Sequence, residues 1–353
     1  MNNFTAPGRI CLFGEHQDYL KLPVITAAID LYIKITGKKR NDNKFIIDLP
    51  DINDKIEFNI PRDQSELTYH NDRDYIRSVF NLLLRNGANF DRGWDCEIRG
   101  NIPINSGTAS SSALCVAWTK FLLNVNSSKK EKYSDKKFIG SIAYLAEVEE
   151  FGEPGGMMDH YASALGGILY QDFEKDIFLK SSNLKMGTFV LGDSLEPKNT
   201  LQILHRVKYV ILEVITKIKQ LNSSFNIKDI SLNEIKDYKS ILTNSQFRVI
   251  EGTIINRDIT VKAQALLNDE NFNPELFKKL LNDHQYILSE YLHISTPKID
   301  KMLSIADKNG AYGGKINGSG GGGCMFVYAP ENSSKIAKAI EDVGGKAYIV
   351  NVI

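Results

Sequence analysis

The chain has 353 residues, of which 42% are hydrophobic and 24% are charged, a composition typical of globular proteins. This length suffices for one large domain or for two domains with buried cores. Lysine plus arginine and aspartate plus glutamate each number 43, so no overall charge points to nucleic acid or to an anionic membrane as a partner. An anionic ligand would have to be bound by a local site.

The cysteines and the N-terminal residues indicate the cellular compartment of the protein. Cys11, Cys96, Cys115 and Cys324 are far apart, and no pair has the spacing of a zinc site or a redox motif. We expect buried, reduced thiols. The sequence shows neither the apolar core of a signal peptide nor a segment long enough to span a membrane. It therefore predicts a soluble, cytoplasmic protein.

The first segment that could bind a ligand is an apolar strand followed by polar side chains. The predicted strand 10–13 is followed after one glycine by Glu15 and His16, and then by Asp18. Carboxylates accept hydrogen bonds from hydroxyl groups, while imidazole or the nearby Arg9 can donate them. These residues could bind a small polyhydroxylated ligand. An exposed polar turn after an edge strand would explain them equally well.

Hydrophobic periodicity predicts mixed strands and helices in the rest of the first half. Strands are predicted at 31–36, 45–49, 56–60, 94–98, 166–170 and 189–194. Helices are predicted from Tyr75 to a stop at Asn86-Gly87, from Ser110 onwards, over 134–150 and over 161–165. We place a domain boundary in the polar segment that contains Pro197, so the predicted domains are 1–195 and 196–353.

The segment 103–111 joins a predicted strand to the start of a helix and is rich in small residues. The first N–H groups of a helix lack internal partners and the helix dipole is positive there, so small side chains would let a phosphate reach the backbone. Serine hydroxyls add donors or an oxygen ligand for Mg²⁺. The candidate phosphate-binding residues are Pro103, Asn105, Ser106, Gly107, Thr108, Ala109, Ser110 and Ser111. An N-capped helix after a flexible turn is the simpler alternative.

Carboxylates gather at the end of the predicted helix 134–150 and just after it. Glu147 and two further glutamates oppose the helix dipole there, so a nearby cation would relieve a local cost. A solvated face would explain the same cluster. A Gly/Pro loop then delivers Asp159 to the predicted helix 161–165, either as a helix cap or as a carboxylate held as a base or an electrostatic anchor. We interpret the adjacent His160 as structural.

The second half is predicted to be mainly helical. Its helices are expected near 201–219, 244–268, 274–292, 297–309 and 333–343, and its strands at 311–316, 325–328 and 347–352. A glycine run that includes Gly318, Gly320 and Gly321 separates the first two strands. Glycines allow two strands to turn closely or a ligand to approach the backbone. A flexible linker is the alternative, although linkers are seldom bracketed by apolar strands.

Three segments, taken in order, resemble the GHMP family of small-molecule kinases. They read Pro7-Gly-Arg…Gly14-Glu-His-x-Asp-Tyr19, Pro103-x-x-x-Gly107-x-x-Ser-Ser111 and Lys315-x-x-Gly-x-Gly-Gly-Gly-Gly-Cys324. Within the family the chain is most similar to galactokinase-like sugar kinases, since Asp18 and Tyr19 stand where mevalonate kinases usually have small apolar residues. The resemblance implies an α+β fold with two domains, one ribosomal-S5-domain-2-like and N-terminal, the other ferredoxin-like and C-terminal, with the active site between them.

The resemblance also assigns roles to the candidate residues. Asp159 corresponds to the family's catalytic carboxylate, which would orient or deprotonate the acceptor hydroxyl, and Arg9 would keep it ionised and offset charge on the γ-phosphate. Glu147 and Ser111 correspond to the protein ligands of Mg²⁺. The residues that would contact sugar hydroxyls are Glu15, His16 and Asp18, and those that would close over the phosphates of ATP are Gly318, Gly320 and Gly321.

The implied function is an ATP- and Mg²⁺-dependent sugar kinase, a phosphotransferase with an alcohol group as acceptor, acting on the anomeric hydroxyl. Thr108-Ala109 replaces the usual Leu-Gly or Leu-Ser, which leaves open which serine of 110–112 meets the metal. A mevalonate-type kinase is the alternative among enzymes, although Asp18 would repel its carboxylate-bearing acceptor. A non-catalytic sensor of sugar and ATP is the alternative outside enzymes.

Overall fold

The computed structural model describes residues 3–128, 131–180, 186–197 and 200–353. The chain divides into two compact units. The first comprises Met1–Arg9, Ala28–Ile104 and Ala109–Gly166, and the second comprises Ile10–Ala27, Asn105–Thr108 and Gly167–Ile353. Each unit is built from segments that are distant in the sequence. Within the described ranges, no helix has both the length and the apolar character required to cross a bilayer.

Strands and helices are interspersed along the whole chain. The strands are β1 (Asn3–Phe13), β2 (Val24–Lys39), β3 (Lys44–Leu49), β4 (Asp54–Asn59), β5 (Trp94–Gly100), β6 (Ile168–Asp172), β7 (Ile177–Lys180), β8 (Thr188–Asp193), β9 (Gly314–Ile316), β10 (Cys324–Tyr328) and β11 (Lys346–Asn351). The helices are α1 (Tyr75–Arg85), α2 (Ser110–Val125), α3 (Lys136–Tyr144), α4 (Met158–Leu165), α5 (Thr200–Leu221), α6 (Asn244–Asn268), α7 (Pro274–Glu290), α8 (Pro297–Lys308) and α9 (Ser333–Asp342).

In the first unit, a sheet packs against α1 and α2. β3 pairs antiparallel with β4 and parallel with β5, and β5 pairs antiparallel with the C-terminal half of β2. Phe45 of β3 contacts Phe80 of α1 and Trp118 of α2 edge to face, each at 6.0 Å between ring centroids. The fully buried Trp118 also donates its indole N–H to the Ile76 carbonyl of α1 (3.0 Å). Aromatic packing of this kind fixes α2, and with it the serines at its start.

The second unit contains a four-stranded antiparallel sheet in the order β11-β8-β10-β9. α8 and α9 supply Met302, Ile336 and Ile340 to the core beside this sheet. A second core forms between α5 and α6, where Val214 and Ile250 are fully buried. In the same unit β6 pairs antiparallel with the first residues of β2 and with β7.

The predicted helices and strands are present, apart from shifts of a few residues at their ends and three larger differences. β1 and β2 are longer than predicted, and in β1 Pro7 and Gly8 interrupt the alternating pattern. β7 was not predicted. The predicted helix 134–150 is not one α-helix: α3 ends at Tyr144 and Leu145–Glu149 form a π-helical turn, in which the Glu150 N–H donates to the Leu145 carbonyl (2.9 Å). Because a π-helical turn contains an extra residue, the side chains that follow it point in other directions than they would in a continuous α-helix.

Lys120 of α2 ties this helix to the strand that carries Arg9, and its titration gives a test of the packing. Its ammonium group donates to the Thr5 carbonyl (3.0 Å). Burial, together with repulsion from Lys136, lowers the pKa of Lys120 from 10.5 to about 8. Between these pH values the unfolded chain binds more protons here than the folded chain, so the free energy of unfolding rises with pH.

We expect Lys120→Met to flatten that rise, which is worth about 3 kcal/mol at most. Urea unfolding at several pH values between about 8 and 10.5 measures the effect. Lys34→Met, at an exposed position of β2, is the control and should keep the rise. If the free energy of unfolding rose equally with pH in Lys120→Met and Lys34→Met, Lys120 would not be desolvated in the folded protein.

Candidate active site

A bidentate ion pair joins Arg9 to Asp159 in the first unit. Arg9 Nε donates to Asp159 Oδ1 (2.8 Å) and Arg9 Nη2 to Oδ2 (2.7 Å). The arginine side chain is 3% exposed, whereas that of the aspartate is 25% exposed. Fork-to-fork pairing fixes the plane of the carboxylate, and each oxygen keeps a further lone pair for another donor. Asp159 is thus an oriented carboxylate that a ligand hydroxyl can reach.

Asp159 does not cap its helix. α4 begins at Met158, three residues earlier than predicted, and its N-cap residue is Met157, which makes no side-chain capping bond. Asp159 therefore lies within the first turn of the helix, and its carboxylate faces Arg9. The sequence left two alternatives for Asp159, a helix cap or a carboxylate held in place. The structure contains the second, and Arg9 is the cation that holds the carboxylate.

A second contact chain of the first unit runs from Ser111 through Glu147 to His160. Ser111 Oγ donates to Glu147 Oε1 (2.6 Å), and His160 Nε2 lies 2.7 Å from Glu147 Oε2. Burial acts to raise the pKa of Glu147, but attraction to His160 and hydrogen bonds from His160, Ser111 and Ser112 outweigh it, so the pKa lies below its usual value. Glu147 is an ionised carboxylate at neutral pH.

Glu147 owes its direction to the π-helical turn. The side chains of Glu149 and Glu150, predicted in the same acidic cluster, have partners elsewhere: Glu149 accepts from Tyr144 and Glu150 accepts from Arg85 (2.7 Å). Glu147 alone of the three is buried. π-helical turns are frequent at functional sites because they re-aim single side chains.

The two contact chains meet at the start of α4. Asp159 and His160 are consecutive, so one peptide unit separates the pair with Arg9 from the chain that ends at Ser111. All five residues belong to the first unit. The structure thus brings together the predicted base, the predicted arginine and both predicted metal ligands.

The loop 103–111 has alternating backbone handedness. Asn105 (φ 56°), Gly107 (φ 87°) and Ala109 (φ 63°) have positive φ, whereas the residues between them do not. Alternation of this kind directs successive N–H groups to one side and forms a concavity that binds anions. Ala109, the N-cap residue of α2, makes no side-chain capping bond, so the N-capped helix expected as the alternative is not formed.

In the second unit, the glycine run holds the residues 105–108 of this loop. Asn317 Nδ2 donates to the Gly107 carbonyl (2.8 Å), and its Oδ1 accepts from the Cys11 N–H of β1 (2.9 Å). The Cys324 N–H donates to the Ser106 carbonyl (2.6 Å). The fully buried Asn317 is a bridge that the sequence did not reveal.

Gly320 and Gly321 are fixed by packing within the second unit. A Cβ at Gly320 would lie 2.5 Å from the Ile294 carbonyl oxygen, and one at Gly321 would lie 2.1 Å from Ile203 Cδ1. The Gly321 N–H donates to the Ile294 carbonyl (2.7 Å). These glycines are required where they stand, so the run is not a flexible linker. Their predicted contacts with ATP stay a prediction.

The predicted sugar-binding group is buried in the second unit. The Glu15 carboxylate pairs with the ammonium group of Lys315, and both side chains are fully buried. Burial raises the pKa of Glu15, although Lys315 opposes the rise. His16 places its ring nitrogens 3.0 Å from the Tyr19 hydroxyl and 3.0 Å from the Ser319 carbonyl oxygen, and Asp18 is 3% exposed. Contacts of these residues with a sugar stay a prediction.

Comparison with known families settles the relationship that the three segments suggested. Residues 74–167 match the GHMP kinases N terminal domain, and residues 263–348 match the GHMP kinases C terminal domain. The chain belongs to the GHMP kinases. Residues 3–39 match, in addition, the galactokinase galactose-binding signature. GHMP kinases use ATP as their phosphate donor.

Relatives of two specificities resemble this GHMP kinase equally. Mevalonate kinase of Thermococcus gammatolerans is 26% identical over 99% of this chain and 95% of its own. Galactokinase of Mannheimia succiniciproducens is also 26% identical, over 96% of this chain and 88% of its own. The crystal structure of Lactococcus lactis galactokinase complexed with galactose has a TM-score of 0.86 at 20% identity, covering 99% and 93% of the two chains. The predicted α+β, two-domain GHMP fold is confirmed.

The donor set of the first unit fits Mg²⁺ that arrives with a nucleotide. Ser111 and Glu147 offer two hard oxygen donors in contact with each other. Within the described residues, no group of three or more His, Cys, Asp or Glu side chains could hold a metal alone. Mg²⁺ in kinases is commonly bound by one or two protein oxygens, with phosphates and water completing its octahedron. The residues present match that pattern.

The sequence missed three residues of this GHMP kinase. His160 was interpreted as structural, and its contact with Glu147 was not predicted. Lys315 and Asn317 were part of the quoted glycine-rich segment, but their partners at Glu15, Cys11 and Gly107 could not be inferred. A lysine or an asparagine placed beside a glycine run between two apolar strands is the signal that could have singled them out.

The contact of Gly318 with Gly107 gives a test of the loop arrangement. A Cβ at Gly318 (φ 77°) would lie 2.9 Å from the Gly107 carbonyl oxygen, whereas a Cβ at Gly152 (φ 60°) would meet nothing within 4 Å. Alanine at either position incurs the cost of a left-handed backbone, about 1–2 kcal/mol. Only Gly318→Ala adds a clash, which costs about 1–3 kcal/mol more.

We therefore expect Gly318→Ala to lower the midpoint of thermal unfolding by several degrees more than the control Gly152→Ala. Differential scanning calorimetry of the two variants and the wild type measures the difference. Equal midpoints for both variants would mean that the glycine run moves away from Gly107 without cost, and the close contact would then be unimportant.

Proposed function

We propose that the protein is a Mg²⁺-dependent kinase that transfers the γ-phosphate of ATP to the anomeric hydroxyl of a monosaccharide. One observation carries the proposal: the ion pair of Arg9 with Asp159 is joined through His160 to the contact of Glu147 with Ser111. A base, a cation for the transferring phosphate and two metal ligands are the parts that phosphoryl transfer requires.

Asp159 is the proposed base. Its partly exposed carboxylate accepts the proton of the acceptor hydroxyl at an oxygen that keeps its hydrogen bond to Arg9. The oxygen of that hydroxyl then attacks the γ-phosphorus, and the bond to the bridging oxygen of ADP breaks. Arg9 orients Asp159 and offsets the charge of the phosphoryl group as it passes.

The phosphates of ATP rest, in this proposal, on the loop 103–111. Its alternating handedness directs N–H groups to one side, and the half-buried Ser110 and Ser111 add hydroxyl donors. Mg²⁺ would be held by Glu147 and Ser111 and would neutralise phosphate charge. The predicted partners of the phosphates in the glycine run are Gly318, Gly320 and Gly321.

Two observations favour a sugar over mevalonate as the acceptor. Residues 3–39 match the galactokinase galactose-binding signature, which includes Glu15, His16 and Asp18. The second observation is Asp18: a carboxylate repels the negative charge of mevalonate while it accepts hydrogen bonds from hydroxyls, whereas the charge of Glu15 is paired with that of Lys315. Overall identity does not separate the two, since both kinds of relative share 26%.

The proposal also assigns the site residues to two domains and the reaction to a cellular compartment. We assign the nucleotide loop, the base and the metal ligands to a domain of residues 1–195, and the glycine run to a domain of residues 196–353. All four cysteines are buried and none forms a disulfide, as predicted, and this fits a cytoplasmic reaction, because reducing compartments disfavour disulfides.

The role of Asp159 can be tested by removing its charge at constant shape. Asp159→Asn should lower kcat for the sugar about 10²–10⁴-fold, the usual contribution of a positioned base. Binding of ATP should change little, because the amide removes no ligand of the phosphates. The exposed Asp48→Asn on β3 is the control and should keep full activity. Near-wild-type turnover in Asp159→Asn would contradict the assignment.

The acceptor class can be tested with a panel of monosaccharides and mevalonate at fixed ATP and Mg²⁺. We expect ADP release that depends on a sugar and not on mevalonate, and a phosphorylated product that has lost its reducing end, because the anomeric hydroxyl carries the phosphate. Isothermal titration separates the remaining case: sugar and ATP binding without turnover would identify a sensor. Turnover of mevalonate alone would overturn the sugar proposal.

A further inference from the structure

His160 is a buried titratable residue of the first unit to which the proposed mechanism gives no chemical step. Its side chain is 2% exposed, and its Nε2 lies 2.7 Å from Glu147 Oε2. We propose that His160 is a positioning residue for the metal site: it holds the Glu147 carboxylate so that the other oxygen, Oε1, is presented to the cation that accompanies ATP. This inference rests on the proposed function.

The contacts of the imidazole determine where its proton lies. A carboxylate only accepts hydrogen bonds, so Nε2 must carry the proton that is donated to Glu147. Nδ1 is buried and has no hydrogen-bond partner among the described residues. The ring of Tyr144 packs against the imidazole edge to face at 5.6 Å. The geometry is therefore that of a ring which donates from Nε2 to Glu147 and is held in orientation by packing.

The two oxygens of Glu147 have different partners, and this asymmetry makes the inference specific. Oε2 accepts from His160, and Oε1 accepts from the hydroxyl of Ser111 (2.6 Å). A hydroxyl rotates about its C–O bond, so Ser111 can turn its hydrogen away and offer a lone pair to a cation. An imidazole fixed in the core cannot rotate in this way. The bond from His160 therefore remains when the Oε1 side is used for metal binding.

A carboxylate that lacks a fixed donor on its outer oxygen can rotate, and it loses affinity for a cation that needs near-ideal octahedral geometry. Removal of such an outer partner of a metal ligand typically costs 10–100-fold in metal affinity or activity. A purely space-filling histidine would instead affect only folding stability. The two roles can therefore be separated by metal affinity at constant stability.

Two amide side chains differ in whether they can replace the donor. The amide nitrogen of glutamine reaches the position of Nε2 in histidine, whereas that of asparagine, one methylene shorter, reaches only that of Nδ1. His160→Gln should therefore keep the hydrogen bond to Glu147, and His160→Asn should lose it. Ser163→Ala, which alters another buried polar residue of α4, is the control for changes of the helix itself.

The experiment measures binding of Mn²⁺, as a probe for Mg²⁺, to the intact protein saturated with ADP, by electron paramagnetic resonance. We expect His160→Asn to weaken Mn²⁺ binding about 10–100-fold, and His160→Gln and Ser163→Ala to stay close to the wild type. In steady-state assays, His160→Asn should raise the Mg²⁺ concentration needed for half-maximal rate and keep most of kcat at saturating Mg²⁺. Thermal midpoints establish that each variant is folded.

Wild-type Mn²⁺ affinity in folded His160→Asn would overturn the inference, and so would equal weakening in His160→Gln and His160→Asn. If His160→Asn does not fold, loss of Mn²⁺ affinity in folded His160→Gln overturns it, and retention together with a normal Mg²⁺ requirement supports it. Failure of the proposed function is a separate result, because the wild type would then show no ADP release with any sugar.

Discussion

The ion pair between Arg9 and Asp159 is the constraint on which the site depends. A carboxylate near the protein interior is costly unless it is paired and hydrogen-bonded, and the bidentate contact satisfies this requirement in one orientation only. Fixing Asp159 fixes the first turn of α4, and the next residue along that turn is His160. Its imidazole then determines how Glu147 is held, and Glu147 in turn meets Ser111. One ion pair thus sets the geometry of both chemical roles.

The second unit also contains a buried charge, which is stabilised in another way. The ammonium group of Lys315 is fully buried, and it is satisfied by the Cys11 carbonyl (2.8 Å), by the Ile316 carbonyl (2.9 Å) and by the carboxylate of Glu15. Breaking such a pair by removing one partner is strongly destabilising, because it leaves an uncompensated charge. The pair anchors the end of β1 to β9, and the adjacent Asn317 uses the same anchorage to hold the residues 105–108.

The sequence predicted the candidate catalytic and metal-binding residues, but it did not predict most of the contacts that hold them in place. Asp159 was recognisable because it follows a tight loop at the start of a helix, a pattern that is local. Arg9 is 150 positions away from it, and only the resemblance to known kinases paired the two before the structure did. The contact of His160 with Glu147 was not predicted, because periodicity assumes an α-helical register, whereas Glu147 lies in a π-helical turn. Helical and strand patterning, by contrast, predicted most elements of the fold, since burial of apolar faces is a local property of each segment.

Packing within the protein already accounts for glycine at two positions of the glycine run. Glycines beside a phosphate are usually explained by the approach of the ligand to the backbone. Here a Cβ at Gly320 would collide with the Ile294 carbonyl, and one at Gly321 with Ile203, before any nucleotide is considered. The Gly321 N–H is already donated to Ile294. Gly321 would therefore act on ATP by shaping the loop rather than by donating a hydrogen bond. Gly318, whose closest contact is the phosphate-loop residue Gly107, is the member of the run best placed to couple its own packing to nucleotide binding.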